Sequence, residues 1–141
     1  MDALDLTQRP PRGPRVLLDD VDLIFLARTV DKLRATLPGG NLGAYRIPGH
    51  SERLLEALGV SEDELRSAVA RAQSDADVAR WIRERIDASR FPAINQLFEH
   101  GVVRDRLGDA EWLKRYPNAA SVSPDTKLLD FLALDDEQMF A

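Results

Sequence analysis

An apolar stripe at Leu23, Leu26, Val30, Leu33 and Leu37, closed off by Pro38-Gly39-Gly40, limits what this chain can fold into more than any other feature. Steps of three and four residues trace one face of an α-helix. The stripe predicts a helix over about Asp20 to Leu37, with Asp19 and Asp20 as acidic caps at its N-terminus. Ile24 and Phe25 fall off the stripe, so the first two turns are apolar nearly all round. A helix of that kind is expected at the centre of a bundle. The proline and the glycine pair stop it.

The rest of the chain repeats this pattern of cap, stripe and stop. Ser51 is expected to cap a short helix that ends at Gly59, a left-handed stop. Ser61 and Glu64 form a capping box ahead of Leu65, Ala68, Val69 and Ala72. Ser74 opens a unit carrying Val78, Trp81, Ile82 and Ile86. Phe91-Pro92 places a proline at the first turn of a helix that points Ile94, Leu97 and Phe98 inward. Asp109 caps a helix through Trp112, Leu113 and Tyr116, stopped by Pro117. Ser123, with Pro124 at the first turn, opens the last, which packs Leu128, Leu129 and Leu132. Residues 38–50 form a Gly/Pro-rich loop with at most a short extended piece at 44–47, and no stretch alternates over the length of a strand. The expected fold is all-α: a compact bundle of about six short-to-medium helices. Pro10, Pro11 and Pro14 bar a helix from residues 1–15, which are expected to form an extended proline-rich arm beside a helical domain over 16–141.

A length of 141 residues suits one domain and a core that needs no staples. With 44% hydrophobic and 30% charged residues the composition is that of an ordinary globular protein. No cysteine is present, which removes disulfides, thiolate metal sites and cysteine nucleophiles, and suits a reducing compartment. The longest uncharged apolar run, Leu23 to Ala27, is too short to span a membrane. Asp2 and Asp5 sit where a secretory signal would be basic and then apolar. The expected location is cytoplasmic. A net charge of −5 argues against a global nucleic-acid footprint.

The polar residues of the first helix are the most informative. Arg28, Asp31 and Lys32 cluster on one side, and Arg34 lies near the edge of the apolar stripe. Arg28 and Asp31, three apart, can meet as a surface pair. The plain expectation is a solvated, salt-bridged face plus one structural arginine. The functional one is an anion or carboxylate pocket built by Arg28, Lys32 or Arg34. Arg9, Arg12 and Arg15 recur every three residues, the repeat of a polyproline II helix, and could line one edge of the arm to grip an acidic partner. The competing and favoured expectation is that the arm folds back on its own domain, with the acidic C-terminal segment as one place to dock.

His50 and His100 are far apart and lack a second histidine at i+4, so no metal and no cofactor is expected. Nucleophile elbows, Walker loops and dinucleotide fingerprints are absent. Gly39 to Gly43 reads as a flexible connector. Ser51, Ser61, Ser74 and Ser123 read as caps, and Trp81, Trp112 and Tyr116 as core.

Leu4-Asp5-Leu6-Thr7 with Arg9-Pro10-Pro11-Arg12 and Pro14-Arg15-Val16 resembles the opening of an uncharacterised bacterial family, domain of unknown function 5069. Leu26-Ala27-Arg28, Asp31-Lys32 and Arg34-Ala35 resemble that family's first helix, and Gly43, Tyr45 and Leu-Asp-Asp at 134–136 fit more loosely. The good match covers about the first third of the chain. Arg46-Ile47-Pro48-Gly49-His50 stands where the family usually carries a cysteine. The resemblance implies a bacterial, cytoplasmic protein without an assigned activity, and marks Arg12, Arg15, Arg28, Asp31, Lys32 and Arg34 as a shared site or a shared fold-holding network. The functional expectation is a small non-catalytic binding or protein-interaction module, with an acidic protein or a second copy of the chain as partner. The alternative is a small enzyme in which Asp31 is the base and Arg28, Lys32 or Arg34 holds an anion.

Overall fold

The computed structural model describes residues 1–141 and contains seven α-helices and no β-strand. They are α1 (Leu26–Ala35), α2 (His50–Leu58), α3 (Glu62–Arg71), α4 (Asp75–Arg85), α5 (Phe91–Glu99), α6 (Ala110–Arg115) and α7 (Leu128–Met139). Short 3₁₀ turns at Ala88–Arg90, Val103–Arg106 and Pro117–Ser121 link them. Backbone pairing outside the helices is confined to isolated bridges such as Asp5 with Asn41.

Helix α1 is the central element. All its residues except Arg34 are buried, and it packs against α2 and α3. It begins later than its apolar stripe suggests. Asp19 (φ 51°) and Phe25 (φ 75°) both adopt left-handed backbone, which turns the chain twice before the helix starts. Neither Asp19 nor Asp20 caps it; the Phe25 N–H donates to the Pro14 carbonyl at 2.8 Å. Leu23 and Ile24 are buried because this irregular entry is itself part of the core, and a hydrophobic stripe cannot distinguish that from a helix.

The capping box of Ser61 and Glu64, the Asp109 cap of α6, the Pro92 start of α5 and the left-handed Gly59 stop all form as the sequence indicates. Ser74 sits at the N-cap of α4 but its side chain makes no capping bond, and two further serines are placed elsewhere. Ser51 lies inside α2, fully buried, with its Oγ 2.9 Å from Thr29 Oγ1, while Thr29 Oγ1 also donates to the Phe25 carbonyl. Ser123 accepts from the Asp125 N–H in a turn, and α7 starts five residues later at Leu128.

The proline-rich segment does not stand off as an arm. Leu4 and Leu6 are buried on Ala35, and Pro11 and Pro14 are buried too. The Leu6 N–H donates to the Asn41 carbonyl (2.8 Å), and the Asn41 N–H donates to the Leu4 carbonyl (2.9 Å). The Gly39–Gly43 connector is therefore a fitted turn. A Cβ on Gly40 would sit 2.5 Å from the Ala35 carbonyl oxygen, so only glycine allows this approach.

Two apolar cores meet in this fold. The larger runs from Leu18 through α1–α5 and takes Leu129 and Leu132 from α7. The smaller gathers Val103, Ala119, Leu128 and Phe131, with half-buried Trp112 and Tyr116 against it. Tyr116 touches both, and marks the seam between them. No helix is long and apolar enough to cross a membrane.

The buried hydroxyl pair gives a direct check of the packing. Thr29→Val leaves the Ser51 hydroxyl without its partner and is expected to cost about 1–3 kcal/mol. Thr29→Val with Ser51→Ala should recover part of that loss in urea unfolding.

Candidate functional site

At about 100° per residue, positions 28 and 32 share one side of α1 and positions 31 and 34 lie together on another. The structure uses the two sides differently. Asp31 and Arg34 face the N-terminal segment, and Arg28 and Lys32 face a cleft at the seam between the two cores.

On the first side, Asp31 is buried and fully engaged. It accepts from the Arg12 backbone N–H at 2.8 Å and from the Arg12 guanidinium at 2.9 Å. Arg12 reaches on to Asp75 at the start of α4, 2.6 Å away. Burial works against the charge of Arg12, and its hydrogen bonds to Asp75 and Asp31 outweigh that and hold its pKa above the ordinary arginine value. Arg34 donates to the Asp2 carbonyl at 2.8 Å and lies 4.0 Å from Asp31. Arg15 sits apart, exposed, pairing with Asp130 and Glu99. The segment thus folds back onto α1, α4 and the C-terminal helix. Its arginines do not share one free edge. The groove here, lined by Arg9, Arg12, Asp31, Arg34 and Asp75, mixes three arginines with two aspartates.

The second side differs. Arg28 is 2% exposed, and its guanidinium binds both oxygens of buried Asp136 on α7 at 2.7 and 3.1 Å. It donates as well to the Arg12 carbonyl at 3.2 Å, which ties the two sides of α1 together. The Arg28 Nε has no partner. Asp136 also accepts from the Tyr45 hydroxyl at 2.7 Å. Burial and then this bond to a carboxylate push the Tyr45 phenol well above its usual range, so it stays protonated. Arg28 and Asp31 therefore do not pair with each other. Arg28, Asp31 and Lys32 are buried, where a solvated face was the plain expectation, because each side of α1 is covered by another part of the chain.

Lys32 is 8% exposed and makes neither a hydrogen bond nor an ion pair; its ammonium lies 5.4 Å from the centre of the Phe25 ring. Burial and the nearby charges of Arg28 and Arg115, only partly offset by Asp136, push its pKa down to about 7. Phe25 is held in its left-handed conformation, a genuine outlier for a bulky residue. Its ring lies between Lys32, Arg28 and His50.

The cleft has a volume of about 90 Å³. Arg28, Lys32 and Phe25 form its buried floor. Half-buried Arg106, Trp112 and Tyr116 form a wall, and Arg46 and Arg115 stand exposed at the rim. His50 opens α2 and faces the same space, 5.2 Å from Phe25 and 6.0 Å from Phe98 between ring centres. Burial and then the cations Arg106 and Lys32 drive its pKa down to about 4, so it is neutral at pH 7. The N-terminus of α2, at Gly49, has no side-chain cap and adds the positive end of a helix dipole. Five cationic side chains thus line one small cleft, and no carboxylate does. Arg46, Arg106 and Arg115 form no ion pair with any carboxylate of the chain.

Larger depressions exist, including one of about 430 Å³ beside Glu52, Glu56, Glu62 and Glu64, but that one is more open and none of its polar residues is buried. No group of three or more His, Asp or Glu side chains is placed to hold a metal ion.

Of the six residues singled out in the sequence, only Arg28 and Lys32 reach this cleft. Tyr45, Arg46, His50, Arg106, Arg115 and Asp136 were missed. Asp136 had a signal: it lies four residues after Leu132, on the apolar face of a helix, where a carboxylate demands a cation. Trp112 and Tyr116 pack on Phe131 as core residues should, at 5.6 and 5.8 Å, and present their other side to the cleft.

The fold and cleft define an all-helical protein with a cationic cleft between two cores. The family described as Domain of unknown function (DUF5069) matches residues 8–137, and the chain belongs to that family. The likeness extends over nearly the whole chain, where the sequence resemblance was good over only the first third. Among curated proteins none matches it.

Two measurements test the electrostatics. Asp136→Ala strands Arg28 in the interior and should cost about 3–5 kcal/mol, whereas Arg28→Met with Asp136→Leu should cost clearly less than the single change. Lys32 is harder to charge in the folded than in the unfolded chain, so it destabilises in full below pH 7 and the penalty fades as pH rises from about 7 towards 10.5. Lys32→Met should therefore raise the melting temperature most below pH 7, with the advantage shrinking steadily up to pH 10.

Proposed function

We propose that this protein binds a small anionic molecule, through a carboxylate or phosphate group, in the cleft between α1, α2 and α6. One observation carries the reading: Lys32 and the Arg28 Nε are buried without partners on the floor of a cleft whose remaining charges are all positive. Stranding a cation in this way costs several kcal/mol, and an incoming anion removes that cost. Arginines at the rim supply the two-pronged geometry that carboxylates and phosphates match. A volume of about 90 Å³ is far below the ~300–1,000 Å³ of pockets for drug-sized ligands, so the ligand has few heavy atoms or inserts only its anionic head. Aromatic walls from Phe25, Tyr45, Trp112 and Tyr116 favour a planar group beside the charge.

This is a binding function, in keeping with the absence of any catalytic motif. An enzyme using Asp31 as base finds less support, since both carboxylate oxygens are taken by Arg12 on the far side of α1. A cysteine-free chain and the family likeness favour a bacterial cytoplasm as its location.

Binding to the folded state alone raises stability by about 2.7 kcal/mol at a hundredfold excess over Kd. Inorganic phosphate and glyoxylate should each raise the melting temperature saturably at fixed ionic strength, and Arg46→Glu with Arg115→Glu should abolish the effect. A melting temperature that follows ionic strength alone, whichever anion supplies it, would overturn the reading.

A further inference from the structure

The chain has nineteen basic residues, and only three are lysines: Lys32, Lys114 and Lys127. Lys114 and Lys127 are exposed. Lys32 stands on the floor of a cleft otherwise charged by arginine. For gripping an anion, a fifth arginine would serve as well or better, because a guanidinium offers more donors and is less strongly hydrated. An amine offers what a guanidinium does not: it can shed its proton and attack.

We propose that Lys32 is a nucleophile that forms an imine with the carbonyl group of a small oxo-anion, an oxo acid or a phosphorylated aldehyde. The proposal rests on the anion-binding reading above and names the ligand's second functional group. In this arrangement the anionic end sits on the rim arginines Arg46 and Arg115, and the carbonyl carbon points down to the Lys32 amine.

The geometry gives the amine the three conditions this chemistry needs. Lys32 is more than nine-tenths buried, with no hydrogen bond or ion pair to hold its proton. Arg28, one turn earlier on the same side of α1, is locked on Asp136, so it supplies positive charge without leaving a carboxylate free for Lys32. Lys32 lines the cleft, so a carbonyl compound that enters it meets this side chain. A lysine desolvated next to other cations is the arrangement in which an amine is free at neutral pH, and a pKa near 7 agrees with it.

The step balances without an oxidant or reductant. The neutral amine adds its lone pair to the carbonyl carbon, and the oxygen takes up a proton to give a carbinolamine. The nitrogen then loses a proton, the hydroxyl leaves as water, and a carbon–nitrogen double bond remains. Overall, one amine and one carbonyl give one imine and one water. His50, uncharged, lines the same cleft and adds no positive charge to it at pH 7.

The test uses the whole wild-type chain at pH 7, with glyoxylate as probe and cyanoborohydride to make the imine permanent. Adducts are then located by peptide mass mapping. The exposed lysines, which lie outside the cleft, act as internal controls. The expected result is an adduct on Lys32 at least tenfold more abundant than on Lys114 or Lys127, suppressed by excess inorganic phosphate. Lys32→Arg should give no adduct above the level of the control lysines. An adduct spread evenly over the three lysines, or none on Lys32 while glyoxylate and phosphate still stabilise the protein, would overturn imine formation and leave anion binding standing. Failure of both anions to stabilise the wild-type chain would remove the binding site and the imine with it. The wild-type labelling needs no variant, so a misfolded Lys32→Arg does not block the decision.

Discussion

Arg28 and Asp136 form the ion pair on which the rest of the molecule depends. Each is almost wholly buried, they come from α1 and α7, and two hydrogen bonds join them. A pair like this adds little stability compared with apolar residues of the same shape, but neither member tolerates the loss of the other. Its effect is to fix register. The Arg28 guanidinium also holds the Arg12 carbonyl, and Asp136 holds the Tyr45 hydroxyl. One interaction thereby locates the N-terminal segment, the 38–49 loop and the last helix relative to the central one.

The same pair explains why the cleft keeps its charge. Asp136 is close enough to offset part of the charge around Lys32, but it is already committed to Arg28 and Tyr45. Asp31, the other acid on α1, is held on the opposite side by Arg12. Asp136 and Asp31 are thus both occupied elsewhere. The Phe25 ring, in contact range of Lys32 and Arg28 through its face, takes part of the burden by cation–π attraction.

Much of the helical framework was legible in the sequence, because caps and stops act locally. The Ser61–Glu64 box, the Asp109 cap and the Gly59 stop depend only on neighbours in the chain, and all three form. The start of α1 was not legible. Buried apolar residues look alike in a helix and in a turn lodged in the core, and the left-handed Phe25 depends on the distant Pro14 carbonyl. The cleft was half legible. Arg28 and Lys32 stood out as charges beside an apolar stripe, but Arg46, Arg106 and Arg115 look like ordinary surface arginines. What makes them a set is the fold of the 38–49 loop and of residues 101–139 back onto α1, a long-range arrangement that no local spacing encodes.

The sign of the cleft runs against the sign of the molecule. A chain of net charge −5 presents an acidic exterior, and at long range that exterior repels the anions the cleft would take. Attraction begins only within about a Debye length of Arg46 and Arg115, roughly 8 Å at physiological salt. Added salt screens the distant repulsion more than it screens the buried floor. The encounter rate for a small dianion should therefore rise, or at least hold, over the first increments of ionic strength, where a globally basic receptor would slow. On the anion-binding proposal, the cleft would gather anions by proximity while the exterior shed polyanions by distance, so the charge distribution itself would select for small ligands.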